Sequence, residues 1–525
     1  MISALAGIEE QVLQSGLGQL VVDELLYQRG RPPRSRYLFK HALIQDAAYQ
    51  SLLKRTRQQY HQQVAKLLED RPPEVASTQP ELVAHHYTQA NCPAQAIAYW
   101  LKAGVAAASK SANLEAIDQF RRGLALVEAL SDPRERAERE LDLQMALGPA
   151  LFATKSHSHP DTGRTYARAW ELCRQVGDHS RGFTALRGLQ LSHLNLLEME
   201  KAQHFAEEAL RVAERLGDAA RLVGAHMALG QTLFFQGKLE PALAHFRRGF
   251  ELFDPDMQFP DWPGAHPAVS CQFFLMLISW MLGYPDRSLE ELVAAVGSAD
   301  ALGHPHTLAH TLSFATLVHI FRHEPPAAAD CAERALKICE EHRIAQFHAI
   351  ALCENGWALG ASGESEKGLA QIAQNVDSYG LGASQHILLA LQADVQLATG
   401  KPEAALASVA AGLKAVEKMG RAPLEAELYR LRGEALLAGA GTVGEAAAAI
   451  EKGIDVARQQ NARSWELRGA MSLARLRRQQ GRPQEAAALL APIYAWFTEG
   501  FDTADLIEAK ALLDKLTEPA IAAEG

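Results

Sequence analysis

Between residues 80 and 497 small and large apolar positions recur with a fixed spacing. Ala84, Tyr87, Ala96, Trp100 and Ala103 are separated by two, eight, three and two residues. The spacing returns at Gly230, Leu233, Ala242, Phe246 and Gly249, and at Gly356, Leu359, Gly368, Ile372 and Asn375. It returns again at Ala393, Gln396, Ala405, Val409 and Gly412, and at Ala474, Arg477, Ala486, Leu490 and Ile493. Steps of three and four keep residues on one helical face, so each unit predicts two amphipathic helices folded as a hairpin. Small first and third positions let the two helices approach closely, and the large ones fill the gap to the next hairpin. The turns fall at Gly237-Lys238, Gly363-Glu364, Gly400-Lys401-Pro402 and Gly481-Arg482-Pro483. Glycine ends the first helix in a left-handed cap, and proline fits the first turn of the second. Second helices stop at Val-Gly-Asp (176–178) and Leu-Gly-Asp (216–218).

This skeleton resembles the tetratricopeptide repeat, which implies an all-α, alpha-alpha superhelix with a concave groove for a protein or peptide partner. Gln396 and Arg477 depart from the pattern at a normally bulky position. Ala202, Ala242, Ala405, Ala446 and Ala486 mark units of roughly 40 residues, longer than the minimal repeat of about 34. About ten hairpins fit between residues 80 and 497, touching only their neighbours in an elongated array. The segment 498–516 predicts a capping helix with Asp502 as N-cap and Asp505 three residues on. Its stripe of Leu506, Ile507, Ala509, Leu512, Leu513 and Leu516 covers the last hairpin. Residues 517–525 read as a disordered tail.

Residues 1–72 break the pattern. Helices are expected at about 8–17 and 17–28, then the basic turn RGRPPRSR, the short strand YLF (37–39), and helices from His41 to about Leu53 and from Arg57 to Glu69. Helices beside a strand pair and a proline-bearing wing suggest a partial winged helix. Six cysteines without a CxxC pair, all within helical pattern, read as reduced core thiols of a cytoplasmic protein. The N-terminus carries no basic, apolar leader. The most apolar run, FFLMLISWML (273–282), is too short for a bilayer core of about 30 Å and predicts a buried helix.

LVVDELLYQRG, YLFKHALIQDAAYQSLL, RQQYHQQVAKLLE, QPELVAHHYTQA and the ending SWELRGAMSLARLRRQQGRPQEAAALLAPIYAWFTEGFDTADLIEAKALL resemble a bacterial architecture. In it a class III adenylate/guanylate cyclase is joined to a STAND-type ATPase and a tetratricopeptide tail. The likeness extends over essentially all 525 residues. It implies a regulatory, signal-sensing interaction module with no catalytic residues of its own, the winged helix being a remnant of the ATPase. His41 matches the histidine that, in such ATPases, reaches bound ADP. The chain has no GxxxxGK[ST] loop and no cyclase metal-binding segment, so ATP or ADP enters only with an upstream ATPase domain. The enzymatic alternative is one part of an ATP-dependent cyclase whose catalytic domains lie upstream or on another chain.

Charge adds one further alternative. Residues 29–57 hold eight basic groups against Asp46, a net +7 within a chain of net -10. Arg31, Arg34 and Arg36 are the candidate DNA contacts of a basic wing, although the acidic remainder disfavours nucleic acid. The histidines at His304, His306 and His310, the His319–His323 pair, and His157 with His159 lack the further ligands a metal site needs. No metal is expected. His85-His86-Tyr87 reads as packing with one exposed ring.

Overall fold

The computed structural model describes residues 2, 5, 7–30, 35–70, 78–155, 159–259, 262, 264–377 and 382–517. It divides into two compact units, residues 1–154 with 168–178, and residues 155–167 with 179–525. Among the described residues there are 25 α-helices and one two-stranded sheet. Of the predicted tail 517–525, Thr517 ends the last helix and residues 518–525 lie outside the described residues.

The first unit opens with α1 (Glu10–Val22), the antiparallel strands β1 (Leu26–Arg29) and β2 (Arg36–Phe39), α2 (Ala42–Ser51) and α3 (Lys54–Glu69). The two helices expected before the basic turn are thus one, and residues 26–29 form a strand. Tyr27 lies opposite Leu38 and Gln28 opposite Tyr37, so a pairing seven or more residues away overrides local helical pattern. The strand pair and flanking helices match that part of the winged-helix expectation; among the described residues a complete winged helix does not emerge. Hairpin packing starts at α4 (Pro80–Gln89) and α5 (Pro93–Ser109), where Ala84, Tyr87, Ala96, Trp100 and Ala103 are all buried. Then come α6 (Asn113–Leu124), α7 (Pro133–Lys155) and α8 (Pro160–Val176).

The second unit stacks eight hairpins. Their first helices are α9 (His179–Asn195), α11 (Ala219–Phe235), α13 (Pro267–Met281), α15 (Pro305–Phe321), α17 (Ala345–Ala361), α19 (Gln385–Ala398), α21 (Glu425–Ala438) and α23 (Arg463–Gln479). The partners are α10 (Met199–Leu216), α12 (Leu239–Glu251), α14 (Pro285–Leu302), α16 (Pro325–His342), α18 (Ser365–Asn375), α20 (Pro402–Met419), α22 (Val443–Gln459) and α24 (Pro483–Tyr494). The predicted glycine turns are left-handed at Gly237, Gly363, Gly400 and Gly481, as are Gly177 and Gly217. Where no glycine marks the hairpin, Leu197 and His323 adopt the same left-handed turn, which hid those hairpins from the pattern. The small positions touch as expected: a Cβ on Gly356 would stand 2.7 Å from Ile372 and 2.8 Å from the Gly368 carbonyl. Gln396 departs from the skeleton because its Oε1 accepts a 2.9 Å hydrogen bond from the Ser408 hydroxyl.

A capping helix, α25 (Ala504–Thr517), covers the last hairpin and buries Leu506, Ala509, Leu512 and Leu516, while Ile507 faces outward. Its start is not capped by Asp502: Thr503 precedes it, with its hydroxyl held 2.6 Å from the Gly500 carbonyl. The run at 273–282 is buried in and just beyond α13, and no described helix is long and apolar enough to cross a membrane. All six cysteines are free thiols.

One expectation fails within this unit. The hairpins do not touch only their neighbours, because α13 packs against α23. The Trp280 and Trp465 rings meet edge to face at 4.7 Å, and the Ser464 hydroxyl donates to the Trp280 carbonyl at 2.6 Å. The Asp286 and Arg287 amides donate to Glu499 at 2.9 and 3.0 Å. The first-helix layer curls tightly enough to close on itself. Large aromatics on its inner side fill the axis, so α13 and α23 are buried nearly all round instead of along one stripe.

Candidate functional site

In tetratricopeptide-like stacks the first helices line the inner surface, and here that surface carries two polar neighbourhoods. At the closure, Arg468 of α23 is enclosed by Trp280 and Trp465, whose rings lie 5.1 and 5.2 Å from its guanidinium. It donates to Asp505 at 2.9 Å and to the Phe321 carbonyl at 2.5 Å. Glu427 lies 3.9 Å from Arg468 and accepts from Arg430 at 2.7 Å. Trp357 donates to Asp394 at 2.8 Å. Each buried cation has a carboxylate, the condition under which burying a charge is tolerated. The recess these residues share has about 20 Å³ of free space, room for about one water. This part of the inner surface is a closed, structural seam.

The second neighbourhood lies on α9, α15 and α17. Arg187 is 4% exposed, and its Nη1 donates to Gln190 and, at 3.0 Å, to Gln231. Trp262 stacks over the guanidinium at 4.8 Å and presses on Gly224, whose missing side chain makes the room. His310 packs 4.2 Å from Phe347 and 4.4 Å from Phe273, and His306 lies 5.2 Å from Phe347. Burial pushes Arg187 down to about 9 and His306 to about 4, and holds His310 well below the usual imidazole range. Sequence reading singled out these histidines but missed Arg187, since nothing local marks a buried arginine.

The other candidates are scattered. His41 immediately precedes α2, exposed and without a side-chain hydrogen bond. Arg36 sits on β2 opposite Arg29, and Arg31 and Arg34 lie outside the described residues. Lys40 pairs with Glu24 at 2.8 Å, so part of the wing's positive charge is neutralised. The pair His319 and His323 does not share a helix face: His319 bonds Glu324 at 2.7 Å, while His323 occupies the left-handed turn after α15. Among the described residues no group of three or more histidine, cysteine or acidic side chains is arranged to hold a metal. His85 is the exposed ring. His86 and the unforeseen His61 meet nitrogen to nitrogen at 2.8 Å, and Tyr87 donates to Glu69. His157 lies outside the described residues; His159 accepts from the Asp161 amide at 3.1 Å.

No family model matches the chain. An uncharacterized protein of Rhizobium meliloti (strain 1021) is 25% identical over 461 residues, which is 85% of this chain. The chain spans 44% of that relative's length. Among solved structures, a Rap protein complexed with Competence and Sporulation Factor is similar at 11% identity with TM-score 0.43, over 76% of this chain and all of that one. The Rap conjugation gene regulator of plasmid pLS20, in complex with the Phr* peptide, is similar at 11% identity and TM-score 0.42, over 69% of this chain and 98% of its own. Yeast Tom70 is similar at 13% identity and TM-score 0.33, over 87% and 96%.

Proposed function

We propose that this chain is a non-catalytic interaction and signal-sensing module of a larger bacterial protein of the cyclase and STAND ATPase architecture. The N-terminal segment docks on the ATPase domain, and the hairpin stack binds a protein or peptide. The observation that carries this reading is where the apolar surface lies. Of 23 large apolar side chains exposed among the described residues, 12 fall between residues 2 and 60, including Val22, Leu43 and Leu53. Helix α2 buries none of its residues, whereas every helix from α9 to α24 buries at least two. A segment that keeps its amphipathic pattern yet has nothing to bury it against lacks a partner surface. An ATPase domain is that surface in the architecture the sequence resembles, and the Rhizobium relative is more than twice as long as its matched part. In this reading His41, exposed at the start of α2, is the residue that would reach nucleotide in the intact protein, as the resemblance implies.

The test compares hydrogen exchange of residues 10–60 in this chain alone and in the protein with its upstream region. Protection of α2 and the strand pair should rise in the longer protein. Equal exchange in both would remove the docking reading, and ATP hydrolysis or cyclic nucleotide formation by the isolated chain above a mock preparation would remove the non-catalytic one.

A further inference from the structure

Arg187 differs from the other buried arginines of the second unit in having no acid. Arg322 and Arg468 each lie within 4.0 Å of a carboxylate, as does the half-buried Arg430. The two side-chain hydrogen bonds of Arg187 both leave from Nη1 and end on amide oxygens, and its buried Nε has no partner. Taking an unpaired cation out of water costs several kcal/mol, so folding leaves a charge here that nothing described on the chain neutralises. The neighbouring groups are also unsatisfied. Of 14 buried side-chain nitrogen and oxygen atoms without a partner among the described residues, five belong to Arg187, Trp262, His266, His306 and His310. These connect in space. Trp262 covers Arg187, His310 is close enough to feel its charge, and His306 and His266 adjoin through His304. Unpartnered buried groups are few in native proteins, and five in one neighbourhood call for an explanation.

The geometry points to a binding site for a carboxylate at the free Nε–Nη2 edge of Arg187, with His306 and His310 as flanking donors. That edge is the planar fork that grips a carboxylate bidentately. A monoanion would neutralise the single cation. A phosphate dianion would leave net negative charge buried among Phe273, Phe314 and Phe347, an unfavourable exchange. The carboxylate arrives on a glutamate of a bound peptide or as a free organic acid; the chemistry at Arg187 is the same for both. This deepens the reading of the hairpin stack as a ligand-binding surface, and it is independent of the docking at residues 2–60.

Titration calorimetry on the full chain in carboxylate-free buffer would use four probes: an amidated peptide with one glutamate, its glutamine counterpart, phenylacetate and inorganic phosphate. The expected result is binding of the glutamate peptide, phenylacetate or both, with the glutamine peptide and phosphate weaker. Arg187→Gln should weaken it by on the order of tenfold to a hundredfold, as loss of charge-assisted hydrogen bonds does. Preference for the peptide identifies a peptide source, and preference for phenylacetate a small-molecule source. Binding unchanged in Arg187→Gln, phosphate binding as tightly as carboxylate, or no carboxylate binding would overturn the proposal. A second reading needs no ligand. Arg187→Met should raise the unliganded melting temperature, because it removes an uncompensated charge, whereas Arg468→Met should lower it. A fall for Arg187→Met would show the cation to be satisfied already. Failure of both carboxylate probes with residues 10–60 still protected in the longer protein would sink this site and leave the docking reading standing.

Discussion

Replacing Trp465 by alanine tests whether the second unit is closed or linear. Trp465 is 2% exposed, 4.7 Å from Trp280 and 5.1 Å from Phe321, both on hairpins well over a hundred residues earlier. Deleting a buried tryptophan side chain costs about 3–5 kcal/mol in general. The two aromatic pairs that cross the closure account for about 0.5–1.5 kcal/mol each. About 1–3 kcal/mol of the loss should therefore fall on the α13–α23 contact itself. At about 1.4 kcal/mol per tenfold, amides near residues 274–285 and 316–322 should exchange on the order of fivefold to a hundredfold faster. Leu490→Ala is the control, since Leu490 packs only within the cluster spanning residues 467–516. It should loosen that end and leave residues 267–321 protected. If Trp465→Ala likewise left 267–322 unchanged, the contact would carry no energy and the hairpins would be coupled to their neighbours alone.

Removing residues from Phe501 onward uncovers the surface that Leu506, Ala509, Leu512 and Leu516 bury, and takes the Asp505 partner from Arg468. Several hundred Å² at on the order of 25 cal/mol per Å² makes several kcal/mol; α23 and α24 should fray or aggregate while the repeats before about residue 420 stay protected by hydrogen exchange. Gly368→Ala would press a methyl onto the Gly356 carbonyl, which as backbone cannot swing aside. A loss of about 1–3 kcal/mol in denaturant unfolding is expected, and an unchanged midpoint would contradict the close helix approach. His386 is fully buried, bonded to the Ala383 carbonyl at 2.8 Å, and burial lowers it to about 4. The native state therefore refuses the proton that the unfolded chain accepts below about 6.5, so this histidine's contribution is intact above that pH and is lost as pH falls toward 4, worth about 3 kcal/mol. His386→Gln should flatten the acid side of the stability profile, and an identical slope would refute the assignment.

The repeat could be read from the chain because it is local physics. Small residues at Gly356 and Gly368, left-handed glycines at Gly237 and Gly400 and prolines at helix starts act within one hairpin, and a spacing of a few residues records them. The buried stripe of α25 was legible for the same reason, apart from Ile507. What depended on distant partners was not. The strand at 26–29 exists because 36–39 pairs with it, against the helical pattern of its own residues. The closure of α13 on α23 depends on how many small rotations between hairpins accumulate over some 184 positions, and no single spacing encodes that sum. The histidines at 306 and 310 stood out in the sequence as a bare cluster. Only the fold sets His310 beside Arg187, and only burial without a counter-ion turns that arginine from one cation among many into a candidate binding group.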